Sequence, residues 1–240
     1  MAPLCQPGRV PGRLTRPGAA PATVGGVDGV RVVLIGGTSH TGKSTVARAV
    51  ADRLGFAYRS TDGLARHPGR PWPTPEWRVP PHVAAHYRSL TVDELIASVL
   101  DHYARLWPRI EELVTGHALA GPDGGGGLVL EGSALWPGRV AGLTVPHTAA
   151  VWLTADEEVL AARVRAAAGY DRMEAQERAP VDGFLARMLR FQSLLLGTVG
   201  RLGLDRLDTS DGREADALAG EVVAVAAAQH AVGRSGAGSR

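Results

Sequence analysis

Hydrophobic positions fall in two patterns along the chain: short unbroken apolar runs, and longer stretches with helical spacing. Val30-Arg31-Val32-Val33-Leu34-Ile35 is rich in β-branched residues and closes on Gly36-Gly37, the pattern of a strand buried on both faces. Phe56 to Ser60 reads as a second strand, Leu128-Val129-Leu130 ending at Glu131 as a third, Ala149 to Leu153 as a fourth, and Leu204 to Leu207 as a weak fifth. Thr45 to Leu54 has helical spacing. Thr91-Val92-Asp93-Glu94 carries the Thr-x-x-Glu capping pattern and predicts a helix to about His117, kinked or split at Pro108. Thr154-Ala155-Asp156-Glu157 repeats that pattern and predicts a helix to about Ala168. A polar, Arg-containing connection follows from Gly169 to Ala179. Pro180 then opens a helix to about Arg201, and a last helix runs from Glu214 to about Ala231. Gly121 to Gly127 is a turn.

Alternation of strands and helices predicts an α/β fold, a parallel sheet with helices on both faces. The 240 residues suit one domain or at most two, at roughly 150 residues per domain. One domain over residues 30–231 fits, with a helical insertion at 78–118 and a lid at 163–179. Residues 1–29, rich in Pro, Gly and Arg, predict a disordered leader, and 232–240 a disordered tail.

Composition narrows the function. Hydrophobic residues make up 45% and charged residues 21%, as in ordinary water-soluble domains. The net charge is +2, and Arg residues are scattered among acids rather than run together, which argues against a nucleic-acid partner. The single cysteine, Cys5, permits no intrachain disulfide and suits a reducing cytoplasm. No apolar run reaches the ~18 residues of a membrane span. The expectation is a cytoplasmic monomer or homodimer acting on a small molecule.

The chemistry starts at Gly37-Thr38-Ser39-His40-Thr41-Gly42-Lys43-Ser44, which fits Gly-x-x-x-x-Gly-Lys-Ser/Thr between a buried strand and a helix. In such a P-loop, glycines permit tight backbone geometry, inward N–H groups form an anion nest, and the following helix adds its positive end. Lys43 is expected to reach the β- and γ-phosphates of ATP, and the Ser44 hydroxyl to bind Mg²⁺. Thr45 closes the cradle. His40 either touches a phosphate or faces solvent, and the solvent orientation is favoured.

Two acids stand at expected strand ends, where ligands of parallel sheets bind. Asp62, in Arg59-Ser60-Thr61-Asp62-Gly63, can take the proton of an acceptor hydroxyl; its alternative is a turn or cap role. Glu131 follows three apolar residues and can bind Mg²⁺ through water or contact the acceptor; its alternative is an ordinary strand-end acid. Arg163 and Arg172 are favoured among the arginines after the fourth strand as lid groups closing on phosphate oxygens, with a solvated helix face as the alternative. Arg66 and Arg70, in a Pro- and Trp-rich loop after Asp62, and Arg187 and Arg190, on the next-to-last helix, are candidates for binding an anionic acceptor. No His pair has zinc spacing with further ligands.

Together, the P-loop, Asp62, Glu131-Gly132 and the Arg-bearing connection resemble the nucleoside-monophosphate-kinase-like group of P-loop small-molecule kinases. That group includes shikimate kinase, gluconate kinase and chloramphenicol phosphotransferase. Leu130-Glu131-Gly132-Ser133-Ala134-Leu135-Trp136-Pro137-Gly138 is similar to a strand-end stretch of 2-phosphoglycerate kinase, with Ser133-Ala134 where that family has a His. The resemblance, over roughly Val30 to Ala228, implies a three-layer P-loop NTPase fold with five parallel strands in the order 2-3-1-4-5. It also implies Mg-ATP, an Arg lid, and adenine near Asp208-Thr209-Ser210-Asp211-Gly212. It implies a kinase acting on a small acceptor, with a 2-phosphoglycerate-like compound as one candidate. A regulatory nucleotide-binding protein and a toxin-like or antibiotic-modifying kinase are the alternatives.

Overall fold

The computed structural model describes residue 27 and residues 29–65, 68–120 and 126–237. Arg66, Cys5, most of the leader and most of the Gly121–Gly127 turn lie outside the described residues. Five parallel strands form one sheet: β1 (Val32–Gly37), β2 (Ala57–Ser60), β3 (Leu128–Glu131), β4 (Thr148–Thr154) and β5 (Arg206–Asp208). Their spatial order is β2-β3-β1-β4-β5, as expected. The register sets Ile35 and Ser60 on either side of Glu131, so the carboxyl ends of β1, β2 and β3 meet.

Side chains of a strand alternate between faces, and the two faces of this sheet build separate cores. Val32 and Leu34 pack with Ile110, Val114, Phe191 and Leu195. Those residues come from α3 (Val92–Leu119) and α6 (Ala175–Leu202). Val33 and Ile35 pack with Val46, Val50, Leu218 and Val222. These lie on α1 (Lys43–Leu54) and α7 (Ala215–Ala237). A sheet buried on both faces explains why β1 and β3 are continuous apolar runs.

A third apolar cluster lies away from the sheet. It joins Trp72, Tyr87, Leu95, Leu160, Val181 and Phe184. Through it the 68–80 loop, α2 (Pro81–Ser89) and α5 (Glu157–Ala168) are held against α6.

Several expectations need correction. Pro108 does not split its helix: α3 is one helix of 28 residues, with Pro108 on its exposed side, where water can satisfy the carbonyl that proline leaves free. The Thr91 capping box is present, with Thr91 Oγ1 accepting from Glu94 N at 3.3 Å and Glu94 Oε2 accepting from Thr91 N at 2.8 Å. Its second copy is absent, because Thr154 belongs to β4 and donates to the Leu207 carbonyl; Asp156 precedes α5 without a side-chain cap. Pro180 lies inside α6, which begins at Ala175 within the expected polar connection. The last helix continues past Ala231 to Ala237. One short helix, α4 (Pro137–Val140), has no counterpart in the sequence pattern.

Candidate functional site

β1 runs directly into the Gly37–Ser44 loop. Gly37 has φ +135°, and a Cβ there would sit 2.3 Å from the Leu153 carbonyl oxygen on β4, so only glycine fits. The loop is braced from within: Thr41 Oγ1 donates to the Thr38 carbonyl at 3.0 Å. Thr38 Oγ1 reaches the Met188 carbonyl of α6 at 3.4 Å. Lys43, the chain's single lysine, is buried and donates to the Thr38 carbonyl at 2.5 Å. Burial pushes its ammonium below the ordinary lysine value, and the negative charges of Glu131 and Asp62 partly restore it. Ser39 and Ser44 line the same cavity, whereas Thr45 is exposed on the first turn of α1 and lines none of it.

Glu131 is almost fully buried, which a bare carboxylate does not tolerate without partners. It has them. Ser44 Oγ and Tyr58 OH each donate to Glu131 Oε1 at 3.0 Å. Ser44 and Glu131 are therefore joined by a hydrogen bond. Magnesium takes hard oxygen donors in an octahedral shell and keeps several waters and substrate phosphate oxygens. A serine hydroxyl beside a carboxylate fits that donor set. Among the described residues there is no group of three or more His, Cys, Asp or Glu that could hold a metal ion.

Gly132 explains how Asp62 comes to face Glu131. Its φ is +150°, and a Cβ would fall 1.8 Å from Thr61 Oγ1. The chain after β3 can thus pass against the 3-10 turn Thr61–Gly63. Ser60 caps that turn, accepting from Asp62 N at 3.3 Å, so the capping role belongs to Ser60 and not to Asp62. The Asp62 side chain opens onto the cavity and is exposed, yet protein surrounds it on the cavity walls. That partial desolvation raises its pKa, and Glu131 adds to the effect; Lys43, Arg70 and His102 oppose it.

The cavity spans about 720 Å³. Lys43, Ser44 and Glu131 line it together with Asp62, Arg70 and Arg187, and Asp62 lies within electrostatic reach of Lys43 and Glu131. Arg187 is 8% exposed and lies over Tyr87 at 5.3 Å and Phe184 at 4.8 Å. The aromatic faces hold its guanidinium plane, and no hydrogen bond or ion pair to a described residue neutralises it. Arg190, one turn on, is exposed and lines no part of the cavity.

The arginine lid differs from expectation. Arg163 is tied into the fold: it donates to the His40 carbonyl at 3.1 Å, to Thr209 Oγ1 at 3.3 Å and to the Thr209 carbonyl at 2.8 Å. It ties the P-loop to the segment after β5. Arg172, in the turn Tyr170–Arg172, is exposed and away from the cavity. That segment is pinned by Tyr170 OH, which donates to Asp182 Oδ1 at 2.7 Å.

His40 departs most from its favoured reading. It is half-buried in the cavity lining rather than free in solvent; its ring lies 5.9 Å from Trp72 and 6.3 Å from Phe184, and its Nδ1 is buried. Burial, then the charges of Arg70, Lys43 and Arg163, push its pKa down to about 4, so it is neutral at pH 7.

Sequence reasoning missed Tyr58, Trp77 and Tyr103. Trp77 lines the cavity and donates from Nε1 to the Arg70 carbonyl at 3.1 Å. Tyr103 also lines it; burial pushes its phenol up to about 12, so it stays protonated. Its signal was present: a hydroxyl on the otherwise apolar stripe Ile96, Val99, Leu106 and Ile110. Tyr58 and Trp77 had no such signal.

No family model matches the chain, and no curated protein matches it in sequence. Among solved structures, it is similar to a sugar kinase from Janibacter sp. at 20% identity, covering 85% of this chain and 98% of the other, TM-score 0.46. A gluconokinase from Sinorhizobium meliloti has 19% identity, 85% and 94% coverage, TM-score 0.47. Shikimate kinase from Acinetobacter baumannii, in complex with shikimate, has 12% identity, 81% and 91% coverage, TM-score 0.44. The chain's own strand order and loop geometry define a P-loop, kinase-like α/β fold. No helix among the described residues is long and apolar enough to cross a membrane.

Proposed function

We propose that this protein is a phosphotransferase that moves the γ-phosphate of Mg-ATP to a hydroxyl of a small, anionic acceptor. One observation carries this reading: a single cavity is lined both by Lys43, Ser44 and Glu131 and by Asp62, Arg70 and Arg187. The first set suits a triphosphate with its metal, the second an acceptor.

The P-loop N–H groups and Lys43 bind the phosphates, Lys43 leaving the Thr38 carbonyl to do so. Ser44, with Glu131 behind it, would hold magnesium's oxygen shell, and the ion would supply positive charge against the phosphate oxygens. Asp62 accepts the acceptor's proton, and its raised pKa makes it a stronger base than an ordinary carboxylate. The acceptor oxygen then forms its bond to the γ-phosphorus as the bond to the β-phosphate oxygen breaks, and ADP leaves. Arg187 and Arg70 orient the acceptor through its anionic group. Arg163 positions the P-loop rather than reaching the phosphates.

The test is a screen of metabolite fractions with Mg-ATP and purified protein. An ATP-dependent phosphorylated product is expected, reduced about 100- to 1,000-fold in Lys43→Ala. Intact ATP binding with no product from any fraction contradicts the reading. An acyl-phosphate ATP probe should label Lys43, the chain's single side-chain amine, and excess ATP should block the label.

A further inference from the structure

His40 and Trp72 form an unfinished pair. His40 Nδ1 and Trp72 Nε1 are both buried, and neither has a hydrogen-bond partner among the described residues. Their rings are adjacent, 5.9 Å between centroids and tilted by 46°. An indole N–H can only donate. The imidazole is neutral, so one of its nitrogens is an acceptor. The two groups are chemically matched, and folding does not leave buried polar atoms unpaired without cost.

Their places in the chain give the pair a meaning. His40 sits in the phosphate cradle with φ +64°, a left-handed backbone that histidine seldom adopts. Its carbonyl is gripped by Arg163, which also grips Thr209 after β5. Trp72 belongs to the loop that carries Arg70, Thr74 and Trp77 into the lining of the same cavity. A contact between the P-loop and a second loop of the cavity wall is what coupling between two ligands requires.

We infer that His40 is a positioning residue that couples the nucleotide cradle to the acceptor loop, through a Trp72 Nε1–H to His40 Nδ1 hydrogen bond made when the P-loop is occupied. Nucleotide binding thereby orders residues 68–77, and the acceptor meets a pre-formed wall. This inference rests on the proposed nucleotide site, and adds to it a direction of communication.

The experiment is hydrogen–deuterium exchange over residues 68–77, with and without the non-hydrolysable analogue Mg-AMP-PNP, whose affinity is measured in parallel. Wild-type protein should bind the analogue and slow exchange in this segment by about 3- to 10-fold, the range one hydrogen bond supports. Trp72→Phe keeps an aromatic ring but deletes the N–H; it should still bind the analogue, more weakly by no more than about 3- to 10-fold because coupling is reciprocal, and lose the slowing. His40→Asn should keep much of it, because Asn Oδ1 stands close to where His Nδ1 stood and Asn tolerates φ above zero. Ring packing alone predicts the reverse order, Asn harmful and Phe mild, and that result overturns the hydrogen bond. Analogue binding without any slowing in wild type overturns the coupling and leaves the kinase reading standing. No analogue binding overturns both.

Discussion

Two parts of the cavity lining are built by different physics. The P-loop is local: Gly37 to Ser44 are consecutive, and their backbone is fixed by hydrogen bonds among themselves and by one close approach to β4. The rest of the lining is assembled from afar. Asp62 follows β2, Arg70 and Trp77 come from a loop, Tyr103 from α3 and Arg187 from α6. Tyr103 packs on a sheet-face core, and the apolar cluster around Trp72, Tyr87 and Phe184 holds Trp77 and Arg187. A local motif keeps its meaning wherever the rest of the chain goes. An assembled pocket has no meaning until the packing is known.

Asp62→Asn should break the comparison hardest. Transfer should fall by about 10²- to 10⁴-fold, the usual weight of a general base, with nucleotide affinity largely kept, as kcat and a binding titration would show. The same variant should be more stable at neutral pH. The sign follows from the raised pKa: the group's stability is full below its unfolded value near 3.8 and is lost as pH rises through the folded value. At pH 7 the charged Asp62 is thus a burden that Asn relieves, and a lower melting temperature for Asp62→Asn would contradict this.

Trp72→Ala acts on the other side of the comparison. Deleting a fully buried tryptophan costs about 3–5 kcal/mol. Denaturant titration should show that loss, and exchange should quicken over residues 68–90 while β1 and β3 stay protected. Equal loosening of the sheet would mean that the third cluster is not a separate unit.

Arg187→Met sharpens the assignment of the anion site. KM for the acceptor should rise about 10- to 100-fold, with KM for ATP little changed, because charge-assisted hydrogen bonds carry that much. Thr91→Ala is the smallest change. It removes the cap of α3 and should cost about 0.5–2 kcal/mol by thermal melting, with no effect on nucleotide affinity.

The same division governs what could be read from sequence. β1, the P-loop, Glu131-Gly132 and the Thr91 cap were legible because each depends on neighbours within a few residues. The strand order was reached only through a family resemblance. Arg163 and Arg172 were misjudged because an arginine pattern says nothing of direction: one is clamped to backbone carbonyls and the other exposed. His40 was misjudged because its burial is provided by Trp72 and Phe184, 32 and 144 positions away. Tyr58 could not be read at all, since its meaning comes from facing Glu131 across adjacent strands.

The most direct test of the proposed transfer site is a transfer assay with γ-labelled ATP, Mg²⁺ and an anionic small-metabolite fraction. Three proteins are compared: wild type, Lys43→Ala and Asp62→Asn. The expected result is a labelled small-molecule product from wild type alone, with nucleotide binding weakened in Lys43→Ala and preserved in Asp62→Asn. Labelled product from Asp62→Asn at the wild-type rate would contradict it, because Asp62 would then have no part in the chemistry.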